Sequence, residues 1–269
     1  MEPKVLYDAR DAIATLTLNR PEKRNALDRE LYEQLDQAFD RAEADEAVRV
    51  VVLRGNGPSF SSGNDMSQPS SGDLRQWRER LTATSRRTFR IWSFPKPVIA
   101  MVQGHCLAGA CEFALACDMT VAAEDAKFGE PEIRHGSMAQ LLMPWYIGHK
   151  KVKELILIGD VIDAREAERI GMVNRVVPND QLETETYALA VKLAKVPPDA
   201  IMLNKRGINF AYEAMGIRSA SDYVDEISTM LHVLMFNVKD EEGQDLQRIK
   251  YEQGMKAFLK AREARFGSG

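Results

Sequence analysis

The order in which periodic segments follow one another constrains this chain more than any single motif. Residues 12 to 18, AIATLTL, alternate apolar and polar as a half-buried strand does, and Asn19-Arg20-Pro21 ends the run. The period then changes. Leu27, Leu31, Leu35, Ala38 and Phe39 fall at helical spacing within RPEKRNALDRELYEQLDQAFDRAEAD. VRVVVLRG, 48 to 55, is a continuous β-branched run, hence a buried strand, and it closes in the glycine-rich turn GNGPSFSSGNDM. Residues 74 to 93 read as a helix whose arginines (Arg75, Arg78, Arg86, Arg87, Arg90) form a solvated face, and VIAMV, entered through two prolines, reads as another buried strand. A short apolar helix in EFALACD, a strand in MTVAA and a helix from Leu141 to Gly159 follow. DAREAERIGMVNRVVP then supplies a capped helix, a glycine stop and a strand, Val173 to Val177. From about Gln181 no strand pattern remains. The chain is helical, broken at Pro197-Pro198, with a last helix from Gln244 to Arg265.

Strands alternating with helices for most of the chain, then helices alone, imply an α/β core with a helical appendage. Early strands lie roughly 40 residues apart, which suits a spiral of similar turns as well as a doubly wound sheet. A length of 269 residues is enough for one full core, and a net charge of −4 is of the wrong sign for generic nucleic-acid binding. No run of 18 apolar residues occurs, and MEPKVLYDAR lacks the charged-then-apolar order of a signal peptide, so the expected location is cytoplasmic. Cys106, Cys111 and Cys117 crowd together, odd in number and matching no zinc spacing, and are expected to be small core residues with no metal.

The chemistry concentrates in GHCLAGACEFALACDMTVAAEDAKFGEPE, residues 104 to 132. A helix opening near Gly109 leaves its first N–H groups without intrahelical acceptors, and its dipole puts partial positive charge there. That end can hold an anion. Glu112 lies on the same face, three residues on, and Glu132 stands in a loop fixed by Pro131. Two glutamates 20 residues apart are ordinarily surface charges, but Glu112 sits inside an apolar segment, where an ionised carboxylate needs a partner or a function.

Several separate stretches together resemble the crotonase, or enoyl-CoA hydratase/isomerase, superfamily. LNRPEKRNAL (18 to 27) is similar to its opening motif, and FSSGNDM (60 to 66) to its first oxyanion-hole motif, F-x-x-G-x-D-L. KPVIAMVQGHCLAGACEFALACDMTVAAEDAKFGEPEI (96 to 133), AREAERIGMVNRVVP (164 to 178) and QGMKAFLKAREARF (253 to 266) resemble its central, following and C-terminal elements, in the family order.

The resemblance implies an α/β spiral of repeated ββα turns over residues 1 to 196. It assigns residues 197 to 269 to an all-helical region that builds trimers, often paired into hexamers, and covers the CoA. It implies acyl-CoA substrates, with CoA as part of the substrate and no separate cofactor. It places oxyanion-hole N–H groups at Asn64 and Gly109, and catalytic carboxylates at Glu112, as water base, and Glu132, as acid. Loss of one such N–H donor costs ~3 to 4 kcal/mol of barrier. CoA contacts are implied at Lys23, Arg24, Ala26, Ser62, Asp65 and Lys256, with Lys260 an alternative source of charge. Having both glutamates favours hydration of an unsaturated acyl-CoA. SSGND keeps a Δ3,Δ2-enoyl-CoA isomerase open, and a non-catalytic CoA- or RNA-binding member is the remaining alternative. The sequence departs from the family after Glu132, where MAQLLMPWY replaces a glycine-rich segment and Gln140 and Leu141 stand where small residues are usual. Ala110 replaces a usual glycine, and His135, Trp145 and Tyr146 are candidates to line the acyl site.

Overall fold

The computed structural model describes residues 2–67, 73–135, 142–234, 239–240, 242–264 and 266. Strands β1 (Val5–Arg10) and β2 (Ile13–Leu18) form an antiparallel hairpin. Its two turn residues, Asp11 and Ala12, both have positive φ, 50° and 66°, the geometry that lets a two-residue turn follow the strand twist. Strand β1 has no clean alternation, and the sequence reading omitted it. Parallel to β2 run β3 (Val50–Gly55), β4 (Val98–Val102), β6 (Met119–Ala123) and β9 (Arg175–Val177), in the order β1-β2-β3-β4-β6-β9. A doubly wound sheet reverses its order at a switch point. Here chain order and spatial order agree, which is a spiral.

A second sheet, β5-β7-β8, is built from three-residue strands, His105–Leu107, Lys127–Gly129 and Val161–Asp163. Such short strands carry no readable period. Single-residue bridges, Leu27↔Asn64 and Ser61↔Cys106, link the earlier loops toward this sheet. They position the site.

The β-branched runs are continuous because the large sheet is covered on both faces. Val51, Leu53, Ala100 and Val102 enter the main core with α1 (Arg29–Ala44), α2 (Leu74–Trp92) and α3 (Gly109–Ala116). Their alternates Val50, Val52, Ile99 and Met101 pack under α7 (Leu182–Ala194) through Leu182, Leu189 and Ala190. Asp28 caps α1 by accepting the N–H of Leu31 at 2.8 Å.

Three boundaries differ from the sequence reading. The helix expected from Leu141 to Gly159 is two, α4 (Met143–Tyr146) and α5 (His149–Ile158), separated where Gly148 is extended. Gly159 caps α5 at φ 75° as expected. The strand expected from Val173 begins only at Arg175, after α6 (Ala164–Arg169), because at Asn174 the side-chain Oδ1, not a backbone carbonyl, accepts the Thr120 N–H, at 2.7 Å, while the Asn174 N–H donates to Thr120 O at 3.0 Å. The last helix is broken by Gly254, φ 87°, into α10 (Leu246–Gln253) and α11 (Met255–Ala264).

Of the remaining helices, α8 (Pro198–Ala214) buries no residue, and α9 (Ile217–Leu234) packs on α2, where Ser85 donates to Asp225 and Arg78 pairs with Glu226. The α2 arginines are therefore only partly solvated: Arg87 and Arg90 reach Asp36 and Asp40 on α1. Leu246, Ile249 and Phe258 form a satellite core that closes α10 and α11 over Met66.

Candidate active site

The loop that holds Gly63 and the start of α3 are brought together by backbone geometry. Leu27 N–H donates to Gly63 O at 2.8 Å and Asp65 N–H to Leu27 O at 3.0 Å. In such a parallel bridge the N–H of the intervening residue, Asn64, faces the opposite side. Gly63 has φ 84°, and a Cβ there would lie 2.7 Å from both Ala108 Cβ and Leu107 O and 3.4 Å from Gly109 N. Only glycine fits. Gly109 opens α3, where its N–H has no intrahelical acceptor. Ala108 before it is held at φ 54°, ψ −134°, a strained conformation worth ~1 to 3 kcal/mol, tied down by donating to Gly129 O at 2.8 Å. The Asn64 side chain covers Gly109, its amide nitrogen 3.3 Å from where a Cβ would stand, and its Oδ1 accepts from Tyr32 O–H at 2.6 Å. Burial pushes the Tyr32 hydroxyl up to about 12, so it remains a donor. Tyr32 and its tether had no signal in the sequence, because they meet Asn64 only through the bridge at Leu27.

Three buried carboxyl groups gather beside this pair of N–H groups. Glu112, 2% exposed in the otherwise apolar α3, accepts the N–H of Leu142 at 2.8 Å. Leu142 belongs to the stretch that departs from the family pattern. Glu132 lies in the 3-10 turn Pro131–His135, buried, with Oε2 lacking a hydrogen-bond partner among the described residues. Burial raises its pKa from the ordinary 4.5 to about 7, against the opposing pull of Glu130 and the Arg262 guanidinium. Glu130 is the third. It is 2% exposed, and burial together with the charges of Glu132, Cys111 and Glu112 holds its proton well above the usual carboxyl range. Glu130 interacts electrostatically with both Glu112 and Glu132, which locates all three in one cluster. The sequence reading passed over Glu130, although period-2 alternation from buried Phe128 puts residue 130 on the inward face. Among the described residues no group of three or more His, Cys, Asp or Glu is arranged to hold a metal ion.

A profile of the enoyl-CoA hydratase/isomerase family matches residues 8–269. This chain belongs to that family. A putative enoyl-CoA hydratase of Thermus thermophilus is 34% identical, over 94% of this chain and 97% of that protein. A crotonyl-CoA hydratase of Syntrophomonas wolfei is 32% identical, over 97% of each. Among solved structures, an enoyl-CoA hydratase/isomerase from Xanthobacter autotrophicus Py2 superposes with a TM-score of 0.90 at 40% identity, covering 98% of this chain and 99% of that one. The crotonase spiral and its helical C-terminal region are therefore those of the family.

Of the residues assigned to CoA by resemblance, Lys23, Arg24, Ala26 and Ser62 lie along one strip. Lys23 and Arg24 are exposed at the 3-10 turn Pro21–Lys23, Ala26 is 8% exposed, and the Ser62 N–H donates to Arg24 O at 2.9 Å. Asn25, wholly buried, shapes this strip: its amide donates to Asn56 O at 2.9 Å and Ser59 O at 2.8 Å, and Oδ1 accepts Arg20 N–H at 2.8 Å. Asp65 has an internal task. Its carboxylate accepts from Arg20 at 3.1 Å and from Ser67 N–H and Oγ at 2.9 and 2.6 Å, which hold it below the usual carboxylate range despite burial. Lys256 and Lys260 are exposed on α11, next to Met255 and its contact with Met66. Tyr146 accepts from Trp92 Nε1 at 3.1 Å and stacks on Tyr212, which is a packing role, and Trp145 packs half-buried beside it. Gln140, Leu141 and the His135 side chain lie outside the described residues.

Proposed function

We propose that the protein is an enoyl-CoA hydratase that adds water syn across the C2=C3 double bond of a 2-enoyl-CoA. The observation that carries this reading is the burial of Glu112 and Glu132 beside two main-chain N–H groups, those of Asn64 and Gly109. Addition of water to an α,β-unsaturated thioester develops enolate charge on the carbonyl oxygen. Two preorganised N–H donors stabilise that charge, and the positive end of α3 adds to them. Glu112, oriented by the Leu142 N–H, is the group that positions and deprotonates the water. Glu132 delivers a proton to C2. With its proton held up to about 7, it remains largely protonated just below neutrality, as an acid must.

Lys23, Arg24 and Lys256 are the cations for the CoA phosphates, Ala26 presents its backbone to the adenine, and Ser62 and Asp65 keep that strip in place. No cofactor beyond the CoA of the substrate is required by this chemistry. Residues 197 to 269 supply self-association, as a trimer or a pair of trimers, and the cover over CoA. The apolar side chains left exposed on α8, among them Leu203, Ile208 and Phe210, support the former, and α11 packed near Glu132 supports the latter. Among the described residues no helix is long and apolar enough to cross a membrane, and we place the enzyme in the cytoplasm, in fatty acyl-CoA metabolism.

The test is turnover of a panel of 2-enoyl-CoA thioesters, read as the mass gain of water. Glu112→Gln and Glu132→Gln should each lose ~10²-fold or more. Undiminished hydration in both variants would end the reading. Migration of the double bond in a 3-enoyl-CoA, without water gain, would replace it by the isomerase.

A further inference from the structure

Glu130 takes no part in the reaction just described, yet it is among the most deeply buried acids in the protein. Both of its carboxyl oxygens are shielded from solvent and accept no hydrogen bond from any described residue. An ionised carboxylate in that position would be left without water and without donors, which is prohibitively costly, so the group keeps its proton. A neutral carboxyl has an O–H to place. The acid beside it is Glu132, two residues along in the same buried cluster, whose Oε2 is likewise buried and without a donor among the described residues. Two carboxylates cannot bond to each other without a proton between them, so a bond within the pair requires one of the two to be an acid.

We propose that Glu130 is a positioning residue for Glu132: it retains its proton and donates a hydrogen bond to the carboxylate that forms when Glu132 gives its own proton to the acyl chain. In that step the Glu132 O–H bond breaks, a C2–H bond forms, and the negative charge left on Glu132 is stabilised by the Glu130 O–H. The other charged or titratable groups facing the pair are Cys111 and Glu112 from α3 and Arg262 from α11. Cys111 is itself held protonated by its neighbour Cys106 and by burial. Glu112 opposes ionisation of Glu130. Arg262 acts in the same direction as Glu130, favouring the Glu132 carboxylate. The backbone keeps the arrangement rigid, since Gly129 O accepts from Ala108 N–H and so ties Glu130 to the strained turn that opens α3.

This inference rests on the hydratase reading for its consequence but not for its chemistry, and the experiment separates the two. Glu130→Gln keeps a donor toward Glu132, whereas Glu130→Leu keeps the bulk and removes the donor. For hydration of a 2-enoyl-CoA, Glu130→Gln should keep the alkaline limb of the kcat/KM profile within a few tenths of a pH unit of wild type. Glu130→Leu should move that limb up by about one unit and lower kcat ~10-fold with KM little changed. A purely structural role would move both variants together, or neither, and either result overturns the proposal. The activity-independent arm is infrared difference spectroscopy at pH 8. The carboxylic-acid carbonyl band expected from Glu130 should persist in Glu132→Gln and vanish in Glu130→Gln, and its absence from wild type would overturn the proposal even if hydration is confirmed. If Glu112→Gln and Glu132→Gln both keep full turnover, the hydratase reading fails, and the infrared arm still decides where the proton sits.

Discussion

Glu132 should make the protein less stable as pH rises through the range in which it works. Its carboxyl is raised in the folded state from 4.5 to about 7 by burial. Between those two values the unfolded chain has lost this proton while the folded chain retains it, so the folded state binds more protons and stability falls with increasing pH. Below pH ~4.5 both states are protonated and nothing is lost; above pH ~7 both are ionised and the full cost is present. At ~1.4 kcal/mol for each tenfold change in proton affinity, the difference is about 3 kcal/mol. Glu132→Gln is neutral at every pH and nearly the same shape, so it should match wild type near pH 4.5 and exceed it by about 3 kcal/mol at pH 8. The measurement is urea unfolding of both proteins across this range at one fixed protein concentration, since self-association would make the midpoint concentration-dependent. Wild-type and variant curves that stay parallel from pH 5 to 8 would refute the reasoning, because they would mean that Glu132 ionises as freely in the folded protein as in the unfolded one.

Further outcomes follow from the same geometry. Gly63→Ala would drive a methyl into Ala108 and Leu107 O and displace the Asn64 N–H, so kcat on a 2-enoyl-CoA should fall ~10²-fold or more, and a fall of less than threefold would contradict the placement of the donor. Tyr32→Phe removes the O–H held by Asn64 and should cost ~1 kcal/mol in chemical unfolding; no change would show that the bond contributes nothing net. Asp65→Asn should cost ~2 kcal/mol near neutral pH by loosening Arg20. Because the folded-state carboxyl lies below the unfolded value of 3.8, that stabilisation is present above pH ~4 and is lost on further acidification, so the gap between variant and wild type should close there.

Much of the layout was legible because each buried run advertises its period. VRVVVLRG reads as doubly covered, and Val50 and Val51 do enter different cores. What periodicity could not decide was spiral against doubly wound, since both bury parallel strands on two faces; the resemblance supplied that choice, and the unreversed strand order confirms it. The small sheet was invisible because its strands have three residues each, and the bridge at Leu27 and Asn64 has one. For the site, Glu112 stands out as a charge in an apolar helix, whereas Glu130 in FGEPE is one of two glutamates in a short loop, without an apolar segment around it to mark it. The alternation from Phe128 that turns it inward spans only two residues. The breaks at Gly148 and Gly254 were missed for a different reason, since isolated glycines are tolerated in helices and only tertiary packing determines which ones interrupt them.

Arg262, whose charge favours the Glu132 carboxylate, stands on a helix that is seated by Phe258 and a handful of neighbours, not by the large core. The surroundings of Glu132 are therefore assembled from two parts of unequal robustness: a frame of sheets that shields it, and a lightly anchored arm that carries the cation. Loosening the arm would admit solvent and withdraw the cation together, retuning the donor while the sheets stay folded. On the proposed mechanism, the alkaline edge of activity doubles as a gauge of whether that arm is in place.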